Sequence, residues 1–154
     1  MRKSISTFSL LFVLLTVSSV SFANDTLAKF EAQVASLKGQ VIYVDFWASW
    51  CVPCRKSFPW MNEIQHSYAD KNFTVLSVNL DAEQSLAAEF LSEIPAQFPI
   101  IYDPKGKIAR AFKLKGMPSS FIIDRTGKIV SSHVGFTDEK KAKYQQEIEL
   151  LLAQ

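Results

Sequence analysis

"VDFWASWCVPC", Val44 to Cys54, decides how this chain is read, because it holds both cysteines, Cys51 and Cys54, separated only by Val52 and Pro53. Val41 to Trp47 is a β-branched and aromatic run with a single acid, Asp45, the composition of a strand buried on both faces. Beyond the cysteines, Phe58, Met61, Ile64 and Tyr68 recur at helical spacing, which predicts a helix over Cys54 to Lys71. The cysteines thus fall at a strand-to-helix junction, one helical turn apart if Cys51 starts the helix. Pro53 suits that first turn, where a missing N–H costs nothing. The unpaired N–H groups and the dipole at a helix N-terminus favour negative charge on Cys51. A thiolate is the nucleophile in disulfide exchange, so Cys51 is the expected attacking sulfur and Cys54 the resolving one.

Two blander uses compete with redox exchange. A structural disulfide across so short a loop restricts the unfolded chain little and is a poor staple. A structural zinc site takes about four ligands, and the only other soft candidates are His66 and His133, neither with a companion at metal-ligand spacing. No metal is therefore expected, and no cofactor beyond a redox-active Cys51–Cys54 disulfide. His66 reads as a solvated helix residue and His133 as a residue on a strand face.

Outward from the motif, the pattern is a single α/β domain. Leu27, Phe30, Val34 and Leu37 give Asn24 to Lys38 helical spacing, ended by Gly39. Phe73 to Val78 is a second buried strand, so strand–helix–strand makes a parallel pair with a right-handed crossover the default. Ser85 to Ile94 reads as a helix, Phe98 to Tyr102 as a short strand, and Ile108 to Phe112 as a short helix. Ser119 to Ile123 and Lys128 to Val134 are strands joined by the turn signal Asp124-Arg125-Thr126-Gly127. A last helix starts at a Thr137 or Asp138 cap, with Tyr144, Ile148, Leu151 and Leu152 on one face. The expected architecture is a three-layer α/β/α sandwich with a mixed central sheet.

The N-terminus carries an address. Arg2 and Lys3 precede an apolar run from Phe8 to Val20, and Ser21-Phe22-Ala23 supplies small residues suited to a signal peptidase. Residues 1–23 are read as a cleavable signal peptide and 24–154 as the folded domain, with an uncleaved anchor as the weaker alternative. Removal of residues 1–23 from the 154 leaves 131, enough for one domain with a sizeable core. Loss of Arg2 and Lys3 brings the 17 basic residues to 15, equal to the 15 acidic ones, so nothing points to nucleic acid or a membrane surface. Export would carry the cysteine pair to a compartment where disulfides persist.

The stretch Val44 to Cys54 resembles the thioredoxin active-site segment almost residue for residue, with Pro59 and Met117-Pro118 where that superfamily kinks the following helix and places its cis-proline. Between Asn79-Leu80-Asp81 and Pro118 the chain runs through an additional helix and strand. That insertion, with Phe121-Ile122-Ile123-Asp124-Arg125-Thr126-Gly127-Lys128-Ile129 and the export signal, resembles the TlpA/ResA-like periplasmic group. Peroxiredoxins share the insertion, but their Pro-x-x-x-Thr-x-x-Cys motif is absent. The resemblance implies a thioredoxin fold with a TlpA-like helix–strand insertion and a periplasmic, monomeric thiol:disulfide oxidoreductase. It further implies disulfide-containing client proteins, apocytochrome c among them, and a membrane electron donor of the DsbD/CcdA type. Where many cytochrome-maturation members carry a glutamate in the helix after the motif, this chain has Ser57, which weighs against the specific cytochrome c assignment.

Direction rests on two features. Strong oxidants of this fold have a histidine between the cysteines, and a very stable thiolate favours their reduced state. Val52 and Pro53 bring no cation, which points to a reductase. Asp45, six residues before Cys51 on an apolar strand, is expected to be buried beneath the cysteines with a raised pKa, and to help deprotonate Cys54. A hydrogen-bonded structural aspartate is the alternative. Pro118, if cis, leaves the Met117 backbone free to pair with an extended substrate strand, and Trp50, Val52, Pro53 and Met117 form an apolar landing patch. An oxidase or isomerase, or a non-catalytic binding module of this fold, are the competing functions.

Overall fold

The computed structural model describes residues 25–154, so the proposed signal peptide lies outside the described residues. The elements follow in the order α1 (Thr26–Ser36), β1 (Val41–Trp47), α2 (Val52–Ser67), β2 (Phe73–Asn79), α3 (Gln84–Glu93), β3 (Ile100–Tyr102), α4 (Lys107–Ala111), β4 (Ser119–Ile123), β5 (Ile129–Val134) and α5 (Asp138–Leu152). The sheet order is β3-β2-β1-β4-β5. β1 pairs parallel with β2, and β2 with β3, while β4 runs antiparallel to both β1 and β5. The mixed three-layer sandwich expected from the sequence is the fold observed.

Every residue of β1 is buried, and the period of two sorts its side chains between two cores. Val41, Tyr43 and Trp47 join Cys51, Cys54, Phe58 and Met61 of the α2 layer, together with Phe90 of α3 and Tyr144 and Ile148 of α5. Ile42, Val44 and Phe46 face the other way, against Phe30 of α1 and Ile108 of α4. Aromatic edges close the cysteine-side core: Phe58 lies 4.7 Å from Trp47 and 4.8 Å from Phe90, between ring centroids. The inserted α3 and β3 extend this face, α3 burying Ala87 and Phe90, and β3 pairing along the outer side of β2.

Most element boundaries differ from the sequence reading by a residue or two, and those of α2 and β3 have a local cause. α2 begins at Val52 rather than Cys54, with Cys51 as its N-cap, because Pro53 can occupy the first turn. It stops at Ser67, and Ala69–Lys71 continue as a 3-10 turn ended by Asn72 in the left-handed region. β3 starts at Ile100, not Phe98, because Pro99 has no N–H for the ladder; its carbonyl still accepts from Ser77 N at 3.0 Å. Thr137 settles the cap of α5, its side chain accepting from Lys140 N.

Candidate active site

The active-site loop is built by β1 handing over to α2 at the C-terminal edge of the sheet. Cys51 N donates to Ala48 O and Cys54 N to Cys51 O, both at 3.0 Å, so the helix is wound from its cap onward. Cys51 and Cys54 are disulfide-bonded, with Cα atoms 5.3 Å apart. Cys51 keeps a trace of exposure, 3%, where Cys54 has none, which suits Cys51 to attack and Cys54 to resolve. The sixteen residues of α2 aim their N-terminal dipole at Cys51.

Asp45 is 1% exposed, and alternation along β1 puts it on the cysteine side with Tyr43 and Trp47. Its Oδ2 finds no hydrogen-bond partner among the described residues. Ser77 and Ser120 stand beside Asp45 on the neighbouring strands; Trp47 Nε1 donates to the Ser77 hydroxyl at 3.2 Å, and Ser120 Oγ lies 3.3 Å from His133 Nδ1. Burial pushes the Asp45 carboxyl well above the ordinary carboxylate range.

The remaining expected site residues fall around the pair. Trp50 and Val52 are 67% and 68% exposed, so neither is packing and both present apolar surface next to Cys51. Pro53 and Met117 are half-buried, and Met117 packs against the core containing both cysteines. The Met117–Pro118 peptide bond is cis. Ser119 pairs with Phe46, so Pro118 sits at the same sheet edge as the loop leaving β1. Pro59 lies inside α2. Ser57 is buried one turn below Cys54 and donates its hydroxyl to Cys54 O at 3.0 Å. Of the histidines, His66 is exposed on α2, and His133 is engaged by Ser120 and Glu147.

Two supports escaped the sequence reading. Asp81, buried after β2, accepts from Ser49 N at 3.0 Å and from the Ser49 hydroxyl at 2.8 Å, and Asn79 Nδ2 donates to it at 2.8 Å. It thereby fastens the loop carrying Trp50 and Cys51 to the end of β2; the Asn-x-Asp spacing at a strand end was its only signal. Arg55 pairs with Glu93 and lies 5.0 Å from the centroid of Phe90, joining α2 to the inserted α3.

A dithiol pair at a helix N-terminus, a buried acid behind it and a cis-proline at the same sheet edge define a thiol-disulfide oxidoreductase of thioredoxin fold. The chain belongs to the Redoxin family, whose pattern it matches over residues 17–148. It is 32% identical over 117 residues to a thiol-disulfide oxidoreductase ResA of Bacillus cereus, an alignment covering 75% of this chain and 68% of that protein. Against the ResA of Bacillus thuringiensis (strain Al Hakam) it is 31% identical, covering 67% of this chain and 60% of that one. Among solved structures, one described as a thiol:disulfide interchange protein DsbE from Chlorobium tepidum superposes with a TM-score of 0.76 at 50% identity, over 77% of this chain and 84% of that one. StoA from Bacillus subtilis superposes with a TM-score of 0.61 at 27% identity, over 71% and 84%.

Proposed function

We propose that this protein is an exported reductase of protein disulfides, working in the periplasm. The observation that carries the reading is the Asp45 carboxyl, buried on the cysteine face of the sheet with no hydrogen-bond partner for its Oδ2 among the described residues. The Cys51 thiolate, steadied by the N-terminus of α2, attacks a client disulfide; one client thiolate leaves and a Cys51–client mixed disulfide forms. Cys54 then attacks Cys51 Sγ, releasing the second client thiolate and regenerating the Cys51–Cys54 disulfide. Two electrons pass to the client, and the proton of Cys54 passes to Asp45. Val52 and Pro53 add no cation to the thiolate, which supports the reducing direction. The exposed Trp50 and Val52, with Pro53 and Met117, form the surface on which an extended client segment lies.

The apolar leader, Arg2 and Lys3 through Ala23, supports export. The donor that re-reduces the pair would then be a membrane protein of the DsbD/CcdA type, and apocytochrome c is one client to be tested. Equilibration with a dithiol buffer tests the direction: a potential near that of thioredoxin, about −270 mV, is expected, and one near about −120 mV would make the protein an oxidase instead. Cys54→Ala should hold clients as mixed disulfides on Cys51. Recovery of apocytochrome c would assign the specific role, and many unrelated proteins a general reductase.

A further inference from the structure

A row of polar side chains crosses the sheet from the buried acid toward the surface. Asp45 of β1 stands opposite Ser120 of β4, and Ser120 opposite His133 of β5, so all three share the face covered by α5. Directly opposed residues of an antiparallel pair have Cβ atoms about 5 Å apart, a span that one bridging water would close while Ser120 keeps its contact with His133. Beyond Ser120 the contacts are direct. Ser120 Oγ is 3.3 Å from His133 Nδ1, and His133 Nε2 is 2.8 Å from Glu147 Oε2 on α5. Exposure rises along the row, from 1% at Asp45 to 7% and 25% for the His133 and Glu147 side chains.

We propose that Ser120, His133 and Glu147 form a relay through which Asp45 exchanges its proton with solvent. The relay rests on the reading of Asp45 as proton acceptor for Cys54. A buried acid that takes a proton at each resolution step must also be able to lose one, and the cysteine pair above it is itself buried. The row is polarised for this task. Ionised Glu147 accepts from Nε2–H, which leaves Nδ1 as the acceptor of the Ser120 hydroxyl proton and leaves the Ser120 oxygen open to a proton from Asp45. In the transfer, Asp45 gives its proton to Ser120 Oγ, Ser120 gives its own to Nδ1, and the imidazolium releases Nε2–H to Glu147 and on to bulk water. Asp45 is then a carboxylate and takes the proton of Cys54 as the Cys51–Cys54 bond forms. One proton has moved from Cys54 to solvent, and His133 is left protonated at Nδ1 instead of Nε2, so proton exchange with water restores the Nε2–H tautomer before the next turnover.

The surroundings of His133 fit a transient carrier. Tyr144 of α5 stacks on its ring at 4.0 Å, Tyr43 lies beside Ser120 on β1, and Ser131 of β5 and Lys143 of α5 lie beside Glu147. Burial holds the imidazole below its ordinary range, outweighing the bond to Glu147, so it rests neutral. Partial burial works to raise the Glu147 carboxyl, but the bonds from Ser131 and His133 prevail and keep it below the usual range, so it rests ionised.

Dithiobis(nitrobenzoate) reads the step directly: the reduced protein releases one coloured thiolate on forming the mixed disulfide and a second when Cys54 resolves it. Ser120→Ala and His133→Gln are expected to slow the second phase roughly tenfold and to shift its pH profile, while the double variant Asp45→Asn with His133→Gln is no slower than Asp45→Asn alone. Ser120→Ala removes one oxygen and keeps the test open if the histidine variant folds poorly. If Asp45→Asn slows resolution and both relay variants run at the wild-type rate, the relay is wrong and the acceptor role of Asp45 stands. If the slowing by His133→Gln persists undiminished in the Asp45→Asn background, His133 acts only structurally and the relay is wrong. An Asp45→Asn protein that resolves as fast as wild type overturns both readings together.

Discussion

Replacing Asp45 by asparagine should remove one component of the pH dependence of stability. The oxidised protein keeps its disulfide closed, so neither cysteine titrates, and the substitution removes one proton-binding group of known placement. In the unfolded chain this aspartate titrates near its ordinary value of 3.8, whereas burial raises it well above that in the fold. Between those two values the folded state holds a proton that the unfolded state has lost. Wild-type stability therefore falls as pH rises through the window, by up to about 1.4 kcal/mol per pH unit, and levels off only where folded Asp45 ionises. The asparagine cannot titrate. Its amide brings donors into a site already lacking one partner, a cost of about 1–3 kcal/mol that does not vary with pH. The slope, not the offset, is the test. Urea unfolding of both oxidised proteins across a pH series should give a stability difference that is constant below 3.8 and moves steadily in favour of Asp45→Asn above it. A difference that stays level through neutral pH would mean that the fold does not raise the Asp45 carboxyl, and would leave it too weak a base to take the proton of Cys54.

Other perturbations separate packing from chemistry. Phe58→Ala empties a fully buried site between Trp47, Phe90 and Phe98 and should cost about 3–5 kcal/mol in urea unfolding; a loss below about 1 kcal/mol would mean that these rings do not close the core. Asp81→Ala leaves Ser49 N and Asn79 Nδ2 without their acceptor and should cost about 1–3 kcal/mol while slowing attack by Cys51. Unchanged rates on a small disulfide would show that Asp81 does not hold the Cys51 loop in place. Trp50→Ala and Val52→Ala should leave stability within about 0.5 kcal/mol, because both side chains are exposed, and raise KM for a protein disulfide without affecting a small one. Equal KM values for wild type and variants would show that this patch does not carry client binding.

Local spacing was enough to determine the element types and the sandwich. The strand before Cys51 and the helix after it announce themselves by periods of two and of about 3.6, and both periods act within a few residues. Burial of Asp45 was legible for the same reason, since an acid in an apolar β-branched run has nowhere else to point. That Trp50 and Val52 face solvent was less plain, because an apolar side chain beside a helix N-terminus can equally pack.

What remained was decided by pairing between distant strands. Ser77, Ser120 and His133 carry no marks in sequence that tie them to Asp45; the registers of β1 with β2, β1 with β4 and β4 with β5 bring them into one row. A shift of one residue in any of those registers would turn the partner to the opposite face. The sequence by itself determined that a dithiol stands at a helix N-terminus above a buried acid. Only the tertiary structure decided that the acid lacks a partner on Oδ2 among the described residues and that its row leads through His133 to Glu147, because hydrogen-bond partners across a sheet are chosen by register and not by spacing along the chain.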